Sequence, residues 1–189
     1  MTQTEKRELT PLELALLGLA AIEPQSGYAL RKTFEDTPMR AYSSSPGSTY
    51  PALKRLGAAG LMKRAPDPKS GHKTKLVFHV TPNGVDAVKQ TLRRPISIDD
   101  IRTDLRTLML RFAFADRFLS PRQMRKSVRD FRGKLAAYID ELEAHMKTER
   151  KKLSKHGALI LKSGIDTCKV HLKWADSALA LLDKAIDGV

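Results

Sequence analysis

Between Leu161 and Ile186 the residues Leu161, Ile165, Cys168, Leu172, Ala175, Leu179, Leu182 and Ile186 recur in strictly alternating steps of four and three. A repeat averaging 3.5 residues keeps one apolar stripe along one side of an α-helix, and such a stripe requires a second helix against it. A candidate partner lies just upstream, where Met124, Val128, Phe131, Leu135, Tyr138, Leu142 and Met146 follow nearly the same spacing. The expectation is an antiparallel pair of long helices. The first starts at the capping box "SPRQ" (Ser120 to Gln123) and runs to about Lys155, Gly157 ends it, and the pair is joined at "KHGA" (Lys155 to Ala158). The stripe from Leu161 through Ile165, Cys168, Leu172, Ala175 and Leu179 to Leu182 is the expected dimerisation element. A further apolar flank, Trp174, Ala178 and Leu181, is left for a twofold partner.

Ahead of residue 95 the elements are shorter and the punctuation denser. "TPLE" (Thr10 to Glu13) has Thr at the N-cap, Pro at the first helical position and Glu at the third, which predicts a core helix from Pro11 to Ile22. Ser26 can cap a second helix to about Asp36, and a third ends at the "GAAG" of Gly57 to Gly60. The period then changes from helical to alternating. "LMKRA" (Leu61 to Ala65) and "KTKLVFHV" (Lys73 to Val80) read as a β-hairpin, with Thr74, Leu76, Phe78 and Val80 on an apolar face and Lys73, Lys75, Val77 and His79 on the other. "TPNG" (Thr81 to Gly84) opens a fourth helix lasting to about Leu92.

Three helices, a hairpin and a closing helix are the element order of a winged helix-turn-helix. The fold expected is therefore mainly α: a tail at 1–9, a winged helix at 10–94 with its β-hairpin wing, and a C-terminal long-helix dimerisation domain at 95–189. That second domain should open with a helix from about Ile98 to Leu119.

The charge says what such a domain meets. Thirty-four Lys and Arg against twenty-one Asp and Glu give a net charge of +13 over 189 residues, which favours polyanionic partners. Between Arg40 and Lys75 there are eight basic residues and one acidic residue, Asp67, so the third helix and the hairpin carry most of the first domain's excess. The expected partner is double-stranded DNA. A winged helix lays its third helix in the major groove and its hairpin on phosphates or the minor groove. Small hydroxyl residues at that helix's start permit close approach, and its free N–H groups attract phosphate. Ser44, Ser45, Gly47, Ser48 and Thr49 fit this description. Ser45 is expected at the N-cap with Pro46 following, while Pro51 must loosen the first turn or mark the regular start. With Leu53 and Leu56 facing the core, Ser48, Pro51, Lys54 and Arg55 face outward. His72, Lys73 and Lys75 are the basic groups of the wing.

Other chemistries find little support. Cys168 is the only cysteine, which excludes an intramolecular disulfide and fits a reducing compartment. "LALLGLAAI" (Leu14 to Ile22) is far short of a span of roughly 20 residues, and Glu23 follows where an export signal would have a small residue. The protein is expected in the cytoplasm with no membrane partner. Of five histidines only His171 lies three residues from Cys168, with no second pair to complete a metal site. There is no nucleophile with its base and no dinucleotide fingerprint, so neither an enzyme nor a cofactor is expected.

The segments "LALLGLAAIEPQSGYALRK", "SPGSTYPALKRLGAAGLM" and "VTPNGVDAV" resemble the PadR family of bacterial transcriptional regulators. The likeness is closest from Leu12 to Val88 and looser over the long helices, including "LRTLMLRFAFADRFLSPRQ". Ala29 stands where the family typically has glutamate. The resemblance implies a homodimeric repressor on a palindromic operator, released by a small-molecule effector near the dimer interface. It places DNA contacts at Tyr28, Ser45, Gly47, Ser48, Tyr50 and Lys54, with Lys73 and Lys75 on the wing. The alternative reading is a helical protein-interaction or membrane-surface adaptor whose basic module does not read DNA.

Overall fold

The structure, a computed structural model, describes residues 8–42, 47–67 and 75–187. It is mainly helical with one two-stranded antiparallel hairpin, the arrangement expected. The chain divides into two compact units, Met1–Arg94 with Met109–Phe118, and Pro95–Leu108 with Leu119–Val189.

In the first unit, α1 (Pro11–Ile22) begins with the capping box read from sequence: Thr10 Oγ1 accepts from Glu13 N, and Glu13 Oε2 accepts from Thr10 N. It is the core helix. Leu14, Leu16 and Leu17 are at most 1% exposed, and each such side chain is stabilising by about 1.5–3 kcal/mol. Around it pack α2 (Gly27–Asp36), capped by Ser26, a 3-10 turn (Pro38–Tyr42), α3 (Thr49–Ala58), α4 (Pro82–Arg93), capped by Thr81, and the hairpin of β1 (Met62–Pro66) and β2 (Leu76–Val80).

The hairpin corrects one expectation. Leu76 is exposed and Val77 is buried at 2%, so the inward phase of β2 begins at Val77 rather than at Leu76. Phe78 N donates to Gln25 O at 2.8 Å, so the segment before α2 adds a bridge along the free edge of β2, beside the pairing with β1 in which Met62 lies opposite Val80.

The single helix expected from Ile98 to Leu119 is three pieces: α5 (Ile98–Thr103), α6 (Leu105–Ala113) and α7 (Ala115–Phe118). Asp104 leaves helical geometry, and its carboxylate accepts from Thr107 N at 3.0 Å, recapping the chain after one residue. Met109–Phe118 then belongs to the first unit, beyond the boundary expected at 94. Two features fasten it there. A Cβ at Gly18 would lie 2.5 Å from the Phe114 ring, so glycine is what admits that ring against α1. Arg111, buried at 5%, donates to the carbonyls of Leu92 (3.3 Å) and Arg94, completing the C-terminal end of α4.

The second unit is built on α8 (Pro121–Glu149) and α9 (Lys155–Asp187). α8 stops at Glu149, earlier than expected, and Gly157 lies inside α9, because Ser154 Oγ accepts from Gly157 N at 3.0 Å and restarts the helix. Low numbers pair with high ones: Arg125 with Asp183, Arg132 with Asp176, and Glu143 with Lys169 at 2.6 Å, which identifies an antiparallel hairpin. Val128, Phe131, Leu135 and Ile139 are buried on α8, so Ile139 takes the seam position expected of Tyr138. Tyr138 instead lies 5.9 Å beneath the guanidinium of Arg102, whose Nη2 also donates to both carboxylate oxygens of Glu141, at 2.9 and 2.8 Å.

Within the single chain, the four-three stripe of α9 packs on α8. Ile165, Cys168 and Ala175 are buried and Leu161, Leu172, Leu179 and Leu182 half-buried, all on the stripe that faces the chain's own α8. Trp174 packs edge-on against Phe131, centroids 6.1 Å apart, so it serves the same hairpin. The large apolar side chains left exposed on α9 are Leu159, Ile160, Val170 and Leu181.

Candidate nucleic-acid interface

α3 carries the interface. Its regular turns start at Thr49, and Ala52 N donates to Ser48 O at 3.1 Å. Pro51 is thus the third helical residue. The first four N–H groups of a helix have no intrahelical acceptor, so the one proline lacks is not missed. The expected cap at Ser45 and Pro46 lies outside the described residues, as does Ser44. At the other end Gly60 takes φ +68°, and Leu61 N donates to Leu56 O at 2.9 Å, closing the helix in a left-handed turn that favours glycine.

Burial splits α3 in two. Ala52, Leu53 and Leu56 are at most 2% exposed and seat it on the core. Gly47, Pro51 and Lys54, spaced by four and three, are exposed on the opposite face, with Tyr50 beside them at 51%. Ser48 is half-buried. Thr49 departs from expectation: at 1% exposure its side chain cannot meet a groove, and it belongs to the seat.

Arg55 is half-exposed, yet its Nε donates to Glu13 Oε1 at 3.2 Å, and the Glu13 side chain is wholly buried. The same carboxylate that closes the capping box of α1 therefore holds α3. Arg55 is first a bracket between helices, a role that residue type and position in the sequence do not reveal.

Tyr28 is 58% exposed, with the guanidinium of Arg31 5.4 Å over its ring. Tyr50 reaches back to the start of α2: a Cβ at Gly27 would lie 3.0 Å from its ring. On the hairpin, Lys63, Arg64 and Lys75 are exposed, Arg64 lies 5.5 Å over the Phe78 ring, and the Lys75 carbonyl accepts from Asp67 N at 2.7 Å. His72 and Lys73 fall outside the described residues. Lys63 and Arg64 entered the sequence reading only as charge; the inward Met62 signals that Lys63 faces the other way, whereas Arg64 lies on the Met62 face, over the Phe78 ring.

Residues 16–90 match the family model of the transcriptional regulator PadR-like family. The chain carries a PadR-like domain. Residues 106–183 match a second model, virulence activator alpha C-term. Among solved structures, the PadR-like transcriptional regulator BC1756 from Bacillus cereus is similar at 21% identity, covering 92% of this chain and 99% of that one with a TM-score of 0.40. Bacillus subtilis PadR in complex with operator DNA is similar at 22% identity, with 93% and 99% covered and a TM-score of 0.41. The Vibrio cholerae virulence activator AphA is similar at 17%, with 92% and 99% covered and a TM-score of 0.41. No curated protein matches the chain.

Among the described residues no three His, Cys, Asp or Glu side chains are grouped to hold a metal ion, and no helix is long and apolar enough to cross a membrane. Burial pushes the Cys168 thiol above its ordinary value, the direction that disfavours the reactive thiolate.

Proposed function

We propose that this protein is a cytoplasmic, homodimeric, sequence-specific DNA-binding transcriptional regulator, a repressor of the PadR type that responds to a small molecule. The observation that carries the reading is the exposed face of α3, Gly47, Tyr50, Pro51 and Lys54, standing on a buried apolar seat within a PadR-like domain. Lys54 and the half-buried Ser48 are assigned to base edges or phosphates; Tyr28, Tyr50, Lys63, Arg64 and Lys75 position the duplex. Arg55 contributes through α3, and Ser44, Ser45, Gly47, His72 and Lys73 complete the contacting segment. Bacillus subtilis PadR has been solved both with operator DNA and with p-coumaric acid, which motivates the operator and the effector in this reading. Because the four-three stripe is occupied by α8, the second copy is assigned to Ile160, Val170 and Leu181, the exposed apolar flank of α9.

The test uses duplexes selected from a randomised library by the full-length protein. Affinity should fall steeply between 50 and 200 mM salt, as it does when phosphate contacts dominate. Lys54→Ala with Ser48→Ala should remove discrimination between selected and scrambled duplexes while the oligomeric state stays unchanged. Binding indifferent to salt, or discrimination that survives both substitutions, rejects the assignment and favours an adaptor that does not read DNA.

A further inference from the structure

The turn that joins α8 to α9 concentrates charge. Over residues 147–156, Lys147, Arg150, Lys151, Lys152 and Lys155 stand against one acidic residue, Glu149, for a net charge of +4, with His156 beside them. The remaining 57 residues of Pro121–Asp187 hold ten basic and eight acidic residues, so the bodies of the two helices are nearly neutral. There Arg125, Arg132 and Lys169 each meet a carboxylate of the facing helix. The excess sits at the far end of the hairpin, roughly 40 Å along α8 from Pro121.

Stability does not ask for this arrangement. Cations at the C-terminal end of α8 complement its dipole, but Lys155 and His156 open α9, where the dipole favours the opposite sign, and the first turn of α9 holds no acidic residue. Lys147 and Arg150, three apart, repel each other. The neighbouring acids are already engaged, Glu149 by Lys152 at 2.9 Å and Glu143 by Lys169 at 2.6 Å. All five cations and His156 are exposed. The backbone beneath them is closed by hydrogen bonds: Lys152 N and Leu153 N donate to Glu149 O at 2.8 and 3.0 Å, and Ser154 accepts from Gly157 N on its hydroxyl and from Ala158 N on its carbonyl. The turn therefore holds its cations together and presents them to solvent.

We infer that this turn is a second nucleic-acid contact, one that grips the phosphate backbone of duplex DNA without reading its sequence. Four of the five cations are lysines, point charges on flexible stems, which hold phosphates without fixing a base. An anionic bilayer suits the turn less well, because an interfacial element sets large apolar side chains beside its cations. The one apolar residue among the ten, Leu153, is half-buried. Leu159 and Ile160 are exposed further along α9, and Ile160 lies on the flank assigned to the second copy. The choice of duplex DNA as the polyanion rests on the regulatory reading above; the charge of the turn does not.

Fluorescence anisotropy on the full-length protein between 50 and 200 mM salt tests the contact. One variant combines Arg150→Gln, Lys151→Gln, Lys152→Gln and Lys155→Gln. A control removes four exposed charges elsewhere on the pair, by Arg122→Gln, Lys126→Gln, Arg129→Gln and Lys173→Gln. Circular dichroism and oligomeric state check that both fold and assemble as the unmodified protein does. The turn variant should bind selected and scrambled duplexes about tenfold more weakly with their ratio unchanged, and its salt slope should be shallower by about 2 or more, since each phosphate contact contributes about 0.9. The control should lose much less. No loss in the turn variant, a loss matched by the control, or a changed ratio between the duplexes overturns the inference. A turn variant that keeps its DNA affinity but no longer binds phosphatidylglycerol vesicles assigns the turn to a membrane instead. If the unmodified protein does not distinguish selected from scrambled duplex, the regulatory reading fails, while the scrambled duplex still decides the turn.

Discussion

Glu13 shows how much a single side chain does in this domain. Its carboxylate is wholly buried, closes the α1 capping box at Thr10 N and accepts from Arg55 of α3. Glu13→Gln retains an oxygen for Thr10 N but loses the charge that holds Arg55. A hydrogen bond to a charged group contributes about 1.5–3 kcal/mol, and the half-exposed Arg55, which recovers water on release, places the loss near the lower figure, about 1.5 kcal/mol. The urea midpoint should fall with an unchanged slope. A midpoint within error of the unsubstituted protein would show that Arg55 does not depend on Glu13. The capping half of Glu13's role is readable from "TPLE", because a cap joins residues three apart; the bracket to Arg55 is not, because it joins residues 42 apart. Val77 and Leu76 differ in the same way. Alternation predicts that they face opposite sides, and only the packing of the hairpin shows that Val77 is the buried one.

At the level of elements, the α8–α9 hairpin ties its stability to pH through groups on its own faces. His171 on α9 is half-buried, and desolvation lowers its pKa from the ordinary imidazole value. The sign follows from linkage: between the lowered folded value and the ordinary unfolded value near 6.5, the unfolded chain binds more protons, so stability is present above that window and is lost on acidification. Thermal unfolding of the full chain should therefore show a midpoint that declines from pH 7 to 5, and His171→Gln should flatten the decline. A His171→Gln profile parallel to the original would assign the effect elsewhere. Glu143 acts in the same direction at lower pH, since its hydrogen bond to Lys169 lowers its pKa. The four-three repeat of α9 made this hairpin legible from sequence, although on α8 Ile139 rather than Tyr138 fills the seam. Its ends were not legible. Gly157 looks like a terminator, yet a serine three residues earlier caps the helix that contains it.

Across the whole molecule, the first compact unit is not a contiguous N-terminal piece. The return of Met109–Phe118 to the first unit, with Phe114 against Gly18 and Arg111 on the carbonyls of Leu92 and Arg94, predicts that a chain cut after residue 94 is poorly folded. One extending to residue 119 should unfold cooperatively. Side-by-side thermal unfolding of the two fragments checks this, and equal midpoints would show that the returning segment is dispensable. Sequence could not anticipate the return. "LRTLMLRFAFADRF" is helical and apolar at the right spacing, but spacing does not say which core an apolar face will join.

That return also sets a clock. A ribosome delivers this chain from its N-terminus, and the last piece of the first unit is added about two dozen residues after Arg94. At about 5–20 residues per second the wait is on the order of 1–5 s. Throughout it, the groove that Gly18 keeps open on α1 stands empty of Phe114. Each newly made molecule thus passes through an interval in which its first compact unit is spelled out but unfinished, open to chaperones and proteases.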